Sequence, residues 1–351
     1  MESTGGQRDY VRRVLIFLLL AALTALVMWL LIYTATGLLV IFAGMLGAIF
    51  LTHISSYLAR HSSLSYPLAL ALVISLLVLG TSGTLYFLGA RIAERAETLV
   101  LEMREAVQDL RDQLQRKEWG RRLLEHRDAA EEVLTSPETV TRAGTAVRVT
   151  ATAVVGVVVA IFLAVYFAIR PEYYRNGLVL LVPPARRGRI SEVLSRIGVT
   201  LWWWILGRLA GMCVIGVTSA IGLLVIGVPL AIELGVLAGL LAFIPNFGPV
   251  LSVLPPVLLA LEQGLGTALA VVLLYIGLQA LEGYLLTPLI EQHQVLLPPG
   301  VTLSTQIIFA LLFGFLGVFL ATPLTVVAYV LIRELYVKDV LGTGATPEEV
   351  T

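Results

Sequence analysis

A chain of 351 residues that is 58% hydrophobic and only 14% charged, with a mean hydropathy of +0.90, is built for lipid; soluble domains carry about 25% charged residues. The formal net charge is zero, which argues against a nucleic-acid partner. The single cysteine, Cys213, excludes an intrachain disulfide framework and a Cys-based metal cluster.

The chain opens with a basic lead (Arg8, Arg12, Arg13) before an apolar run that is too long for a signal peptide and has no A-x-A-like end. Val14 to Tyr33 reads as a first transmembrane helix, with Trp29 and Tyr33 placed for an aromatic belt. Thr34-Ala35-Thr36-Gly37 is expected to turn, and Leu38 to about Tyr57 to return. A short polar loop with Arg60 and His61 follows, and Pro67 opens a third helix to about Ala90, so residues 1–90 form an N-terminal group of three spans.

Residues 91–148 differ in character, with 11 basic and 12 acidic residues. Ile92, Ala96, Leu99, Met103, Val107, Leu110 and Leu114 recur every three or four positions, which predicts an amphipathic helix in a solvated loop domain. Its stripe could pack on the membrane domain, on a second helix over Leu123–Leu134, or on another subunit of a homo-oligomer. Val149–Ile169 is the fourth span. In the loop after it, Arg170, Arg175, Arg186, Arg187, Arg189 and Arg196 outnumber Glu172 and Glu192. With the basic N-terminus and Arg60 on the same side, the positive-inside rule places the N-terminus in the cytoplasm and 91–148 outside. Gly177–Pro184 is apolar but too short to span, and is expected at the interface.

Residues 149–342 form the C-terminal core, followed by a polar tail over 343–351. Trp202-Trp203-Trp204 anchors the fifth span, Ile205–Val228, whose Arg208 either snorkels to headgroups or faces a cavity. Next comes Leu230–Glu262, where two apolar arms flank Pro245-Asn246-Phe247-Gly248-Pro249. Prolines remove backbone donors and Gly248 permits unusual backbone angles, so a helix should break here, and again at Pro255-Pro256. As helices the arms reach about 22 and 18 Å, against about 30 Å of hydrocarbon. That fits a re-entrant hairpin buried in protein or lining a cavity, or two tilted spans joined by a tight surface turn. Thr267–Leu286 and a polar turn, TPLIEQHQVLLPPG, come next. The last apolar run, Val301–Ile332, would be about 48 Å as one helix, too long for one upright span. Gly314, Gly317 and Pro323 interrupt it, so a second broken element is expected, with a transport site between the two.

Enzyme chemistry is not visible: P-loop, HExxH, GxSxG and CxxC patterns are all absent, and His53, His61, His126 and His293 are scattered. No metal or cofactor is expected. A few polar groups remain in apolar surroundings. Gln279 and Glu282 share a helix face, and Glu282 marks an ion path or pairs structurally near the headgroups. Glu233 falls in a first helical turn after Gly227-Val228-Pro229, where negative charge suits the macrodipole. Asn246 could coordinate an ion or cap the second arm.

The blocks LVPPARRGRI, WWWILGRLAGM, IGVPLAIELGVLAGLLAFIPNFGPVLSVLPPVLLAL, QALEGYLLTPLI, LPPG, FGFLGVFLATPLTVV and RELYVKDVLG together resemble the AI-2E (autoinducer-2 exporter) family of membrane proteins. The resemblance implies a secondary transporter of the bacterial inner membrane with eight spans and both termini cytoplasmic. It implies motif roles for Pro245, Asn246, Gly248, Pro249, Gln279, Glu282 and Pro288. The EQHQV stretch at His293 is more polar and less basic than the family pattern. Some members are described as autoinducer-2 exporters, others as sodium(lithium)/proton antiporters. The expectation is therefore an all-α polytopic membrane protein of about eight transmembrane helices with broken or re-entrant hairpins and an extracytoplasmic amphipathic segment. It would export a small polar solute using an ion gradient, with Glu282 exchanging protons or binding a monovalent cation and Asn246 supplying neutral oxygen. A Na⁺(Li⁺)/H⁺ antiporter, a non-transporting oligomeric scaffold and a channel are the alternatives.

Overall fold

The computed structural model of the protein describes residues 4–83, 86, 155–286 and 297–342. The charged segment 91–148, the turn holding Pro288 and His293, the tail 343–351 and the side chains of Trp29 and Tyr33 lie outside the described ones. Among the described residues all regular structure is helical, as the apolar runs predict.

Helix α1 spans Thr4–His61, 58 residues in one rod of about 87 Å. The turn expected at Thr34-Ala35-Thr36-Gly37 is corrected: the helix runs straight through. The stretch contains no proline, and one interior glycine costs only about 1 kcal/mol. The Thr34 hydroxyl folds back to donate to the Leu30 carbonyl at 2.8 Å instead of leaving the helix. The part long and apolar enough to cross a bilayer is Thr34–His61, with Arg13–Thr24 a shorter apolar stretch.

Helix α2 covers Tyr66–Gly83, with Pro67 in its first turn where the missing N–H costs nothing. Helix α3 (Val155–Ile169) bends by 87° into α4 (Pro171–Leu180), because a residue before proline is pushed out of helical geometry. The α4 helix buries none of its residues. The Tyr66 hydroxyl donates to the Ala168 carbonyl at 2.5 Å, so the ends carrying Arg60 and Arg170 share one end of the bundle.

The C-terminal core is built on α5, Arg187–Ile226. Helix α6 (Ala231–Leu241) returns antiparallel along it. A Cβ on Gly239 would sit 2.8 Å from the Met212 carbonyl, and one on Gly235 would sit 2.5 Å from the Ala220 methyl. Small residues thus let two apolar helices approach closely where lipid gives no hydrophobic drive. Helix α7 (Phe247–Gln263) and helix α8 (Leu265–Leu281) complete a second pass, with Leu223, Leu259, Ala260, Val271 and Tyr275 in the shared core. The buried Ser219 hydroxyl meets the Tyr275 hydroxyl at 3.0 Å, which sets α8 antiparallel to α5. Helix α9 (Pro299–Leu331) closes the domain. Two wider π-helical turns, Glu282–Leu286 and Ile332–Lys338, extend α8 and α9. By length and composition, five described helices can cross a membrane when Pro299–Lys338 is counted as one, or six when the α3–α4 pair also counts as one span. The chain is a multi-pass membrane protein.

Candidate functional site where two hairpins meet

The break between α6 and α7 is shorter than its sequence suggests. Helix resumes at Phe247, so Gly248 and Pro249 already belong to the first turn of α7. The left-handed backbone expected of Gly248 falls instead on Asn246, at φ 66° and ψ −46°. The Phe247 N–H donates to the Pro245 carbonyl at 2.8 Å, closing a γ-turn of the rare, strained positive-φ form. What Gly248 supplies is space: a Cβ there would collide with the Leu241 carbonyl at the end of α6. The interruption expected at Pro255-Pro256 is also corrected, since α7 continues through both. In apolar surroundings two missing donors cost less than an opened helix with several unsatisfied groups. The arms are thus about 17 and 26 Å long, and the first is too short to cross.

The second interruption is sharper. Gly314 has φ 60° and ψ −141°, a conformation open in practice only to glycine, and α9 folds back on itself there. Thr325 donates to the Thr305 hydroxyl at 3.1 Å, and Gln306 reaches the Thr322 hydroxyl at 3.4 Å. Residues 16 and 20 positions apart meet only if the arms 299–313 and 315–331 run antiparallel; in a straight helix they would stand about 24 and 30 Å apart. The expected second re-entrant element is therefore a helical hairpin. Its turn exposes Leu311, Leu312 and Phe315. Pro323 stays inside the second arm without breaking it.

The two hairpins touch through Gln306. Its side chain is fully buried; Nε2 donates to the Pro245 carbonyl at 3.1 Å, and Oε1 accepts from Asn246 Nδ2 at 3.4 Å. The strained turn of one hairpin is thereby held by an amide from the other. Asn246 occupies the N-cap position of α7 but makes no capping bond; its amide goes to Gln306 instead. Phe243, just before the tip, stacks on Phe319 of α9 at 4.1 Å and meets Trp204 of α5 edge-on at 5.7 Å. Gln306, Thr322, Thr305 and Thr325 were not marked by sequence reading. A lone glutamine in VTLSTQIIFALLF was the available signal.

Glu282 opens the π-turn after α8, and its partner is Arg208 of α5, 3.9 Å away. The pair is half-buried, at 22% and 26% exposure, so two residues singled out separately belong together. Gln279 is exposed, while Glu282 turns inward. Glu233 lies in the first turn of α6, where its charge suits the helix dipole. Pro288 lies outside the described residues. The packing register of α5 with α6 brings Arg208 to the level of the Phe243 tip, one helical turn below the Met212–Gly239 contact.

A second acid, Glu334, has no mark in the local sequence pattern. Glu334, 2% exposed, accepts from Arg189 at 3.0 Å, from Lys338 at 2.8 Å and from Arg196. Arg189 also holds Asp339 at 3.0 Å and Glu192 at 2.9 Å. Both π-turns thus carry an acid paired to an arginine of α5. Wide π-turns recur at functional positions in helices.

The hairpin junction offers neutral amides, hydroxyls and a backbone carbonyl. Among the described residues no group of three His, Cys, Asp or Glu side chains could hold a metal. Such a set suits a polar solute recognised by hydrogen bonds. Comparison with known proteins agrees with a membrane role. The chain is 31% identical over 170 residues to "Putative transport protein YrrI" of Bacillus subtilis (strain 168), covering 48% of each chain. It is 30% identical over 164 residues to "Putative permease PerM" of Escherichia coli (strain K12), covering 46% of each. A third relative, "Putative transport protein MT0215" of Mycobacterium tuberculosis, is 39% identical over 103 residues, 29% of this chain and 28% of that one. The chain thus spans about half the length, or less, of the curated relatives it matches. The model of one family, described as AI-2E family transporter, matches residues 15–336, nearly the whole chain. With its two helical hairpins in place and that match across both, the chain belongs to the AI-2E transporter family.

Proposed function

We propose that the protein moves a small polar solute across the bacterial inner membrane, at the junction of its two helical hairpins. The observation that carries this is the Gln306 clamp, a fully buried amide that holds the strained Pro245-Asn246 turn from the opposite hairpin. Strain of this kind persists only where surrounding structure enforces it, and it gathers at binding sites. Broken helices facing each other near mid-membrane are how transporters present backbone and amide groups to cargo.

Neutral donors and acceptors favour an uncharged or zwitterionic solute over a bare cation. Glu282 bears on the same choice, because an acid already facing Arg208 contributes no net charge to a cation site. We place its role in gating: the Arg208–Glu282 pair would part and re-form as α8 moves along α5, and an ion gradient would drive the cycle. Orientation follows from charge. Arg60 and Arg170 fall at the helix ends that the Tyr66–Ala168 contact ties together, and we take Arg189, Arg196 and Lys338, gathered by Glu334, to share that end. That end faces the cytoplasm under the positive-inside rule.

The test compares solutes released into the medium by cells making the wild type, Asn246→Ala or Gln306→Leu at matched membrane levels. A solute that accumulates outside only with the wild type is the expected result. Equal release from all three strains rejects the site. A parallel Na⁺ pulse on proteoliposomes holding a pH dye, with wild type and Glu282→Gln, separates the antiporter. Na⁺-driven proton movement abolished by the substitution would replace solute export with antiport.

A further inference from the structure

An open groove of about 620 Å³ runs between α1 and α5. It is lined by His53, Ser56, Tyr57, Arg60 and His61 of α1, with Trp202 of α5 opposite. Positions 53, 57, 60 and 61 are spaced by four, three and one, which sets them on a single helix face. Trp202 stacks on the His53 ring at 4.7 Å and 7°. Tyr57 and His61 lie ring to ring at 4.2 Å.

We propose that this groove binds the phosphate of an anionic phospholipid headgroup. Three features carry it. First, both imidazoles are fixed in one tautomer: Nδ1 of His53 donates to the Ile49 carbonyl at 2.8 Å, and Nδ1 of His61 to the Tyr57 carbonyl at 2.9 Å. A carbonyl can only accept, so Nε2 is the nitrogen left for a ligand in each ring, and it donates to an anion in the imidazolium form. Second, no carboxylate lines the groove among the described residues, and α1 carries no acid from Tyr10 to His61. Arg60 is exposed and has no ion-pair partner among the described residues. A guanidinium flanked by two imidazoles, with acids excluded, is an anion site in want of an anion.

The third feature is depth. Helix α1 ends at His61, α2 begins at Tyr66 and α3 ends at Ile169, and the Tyr66–Ala168 bond holds these ends at one level. His53 lies about 12 Å below His61 along the helix, so the groove reaches from the headgroup layer toward the acyl boundary. Tryptophan and tyrosine concentrate at that layer, and basic pockets between spans on the cytoplasmic side take anionic headgroups. A phosphorylated solute shares the chemistry but would not need the aromatic floor.

Native mass spectrometry of the full-length protein, delipidated in detergent and titrated with phosphatidylglycerol or phosphatidylcholine, tests this. The expected result is a preference for phosphatidylglycerol that falls about fivefold in Arg60→Gln, the usual effect of one basic group near an anionic surface. Arg60→Lys should keep most of it, and Arg175→Gln, on exposed α4, should leave it unchanged. Thermal melting confirms that each variant is folded. His53→Gln and His61→Gln serve as second probes should Arg60→Gln fail to fold. Equal retention of both lipids, or a preference untouched by Arg60→Gln, His53→Gln and His61→Gln alike, overturns the proposal. Displacement of phosphatidylglycerol by millimolar inorganic phosphate would also overturn it, assigning the groove to a soluble phosphate.

Discussion

At the scale of single residues, the junction depends on side chains that do more than fill space. Gln306 serves Pro245, Asn246 and Thr322 at once. Gln306→Leu keeps the volume but strands buried polar groups, at about 1–3 kcal/mol for each left unsatisfied. We expect a lower melting temperature in detergent together with loss of solute release. Gly248→Ala tests the close approach. Its methyl meets the Leu241 carbonyl, which is backbone and cannot rotate away, so α6 and α7 must separate at about 1–3 kcal/mol or more. The same substitution at exposed Gly80, where a Cβ meets nothing within 4 Å, should be close to neutral. For Arg208 and Glu282, a double-mutant cycle should show coupling of no more than about 1 kcal/mol, because the pair is 3.9 Å apart and partly exposed. Sequence alone marked Asn246, Glu282 and Arg208 because polar groups in apolar runs are conspicuous. It missed which of them meet, since a 3.9 Å pairing across 74 positions is set by helix register that no local pattern encodes.

Elements were legible where apolar length conflicts with bilayer thickness. Val301–Ile332 could not be one upright span, and α9 folds at Gly314 as the glycines suggested. Proline was the poorer guide: Pro255, Pro256 and Pro323 all sit inside helices, because hydrocarbon penalises an opened helix more than a missing donor. The Thr34–Gly37 turn failed for the opposite reason, as one glycine without a proline is too weak a breaker. The α9 hairpin can be checked chemically. In a Cys213→Ala background, Thr305→Cys with Thr325→Cys should form a disulfide under mild oxidation, since the native hydroxyls are 3.1 Å apart. A straight helix would hold the pair about 30 Å apart and give none. Gly314→Ala should reduce the yield, because alanine resists φ 60° with ψ −141°.

Across the whole molecule, the long α5 is the beam on which both hairpins hang. Arg208 meets Glu282 at one level and Arg189 with Arg196 meets Glu334 at another, so α8 and α9 are each tied to α5 by charge at a π-turn. Glu334→Gln would leave Arg189, Arg196 and Lys338 crowded around a neutral group. We expect destabilisation of about 1–3 kcal/mol, below the 3–5 kcal/mol of a fully buried pair because the cationic partners are 29–48% exposed. Loss of melting temperature that added salt does not reproduce in the wild type would locate the effect in the buried acid.

The central proposal is that a polar solute passes the Pro245-Asn246 tip, which must then be reached from either side of the membrane as the protein cycles. Asn246→Cys in the Cys213→Ala background, reacted with a membrane-impermeant thiol reagent in right-side-out and in inverted vesicles, tests it most directly. The account predicts labelling from both faces, with Leu311→Cys at the apolar hairpin apex reacting from neither. Labelling of Asn246→Cys from one face alone, or only with a lipid-soluble reagent, would make the junction a packing feature and contradict the account.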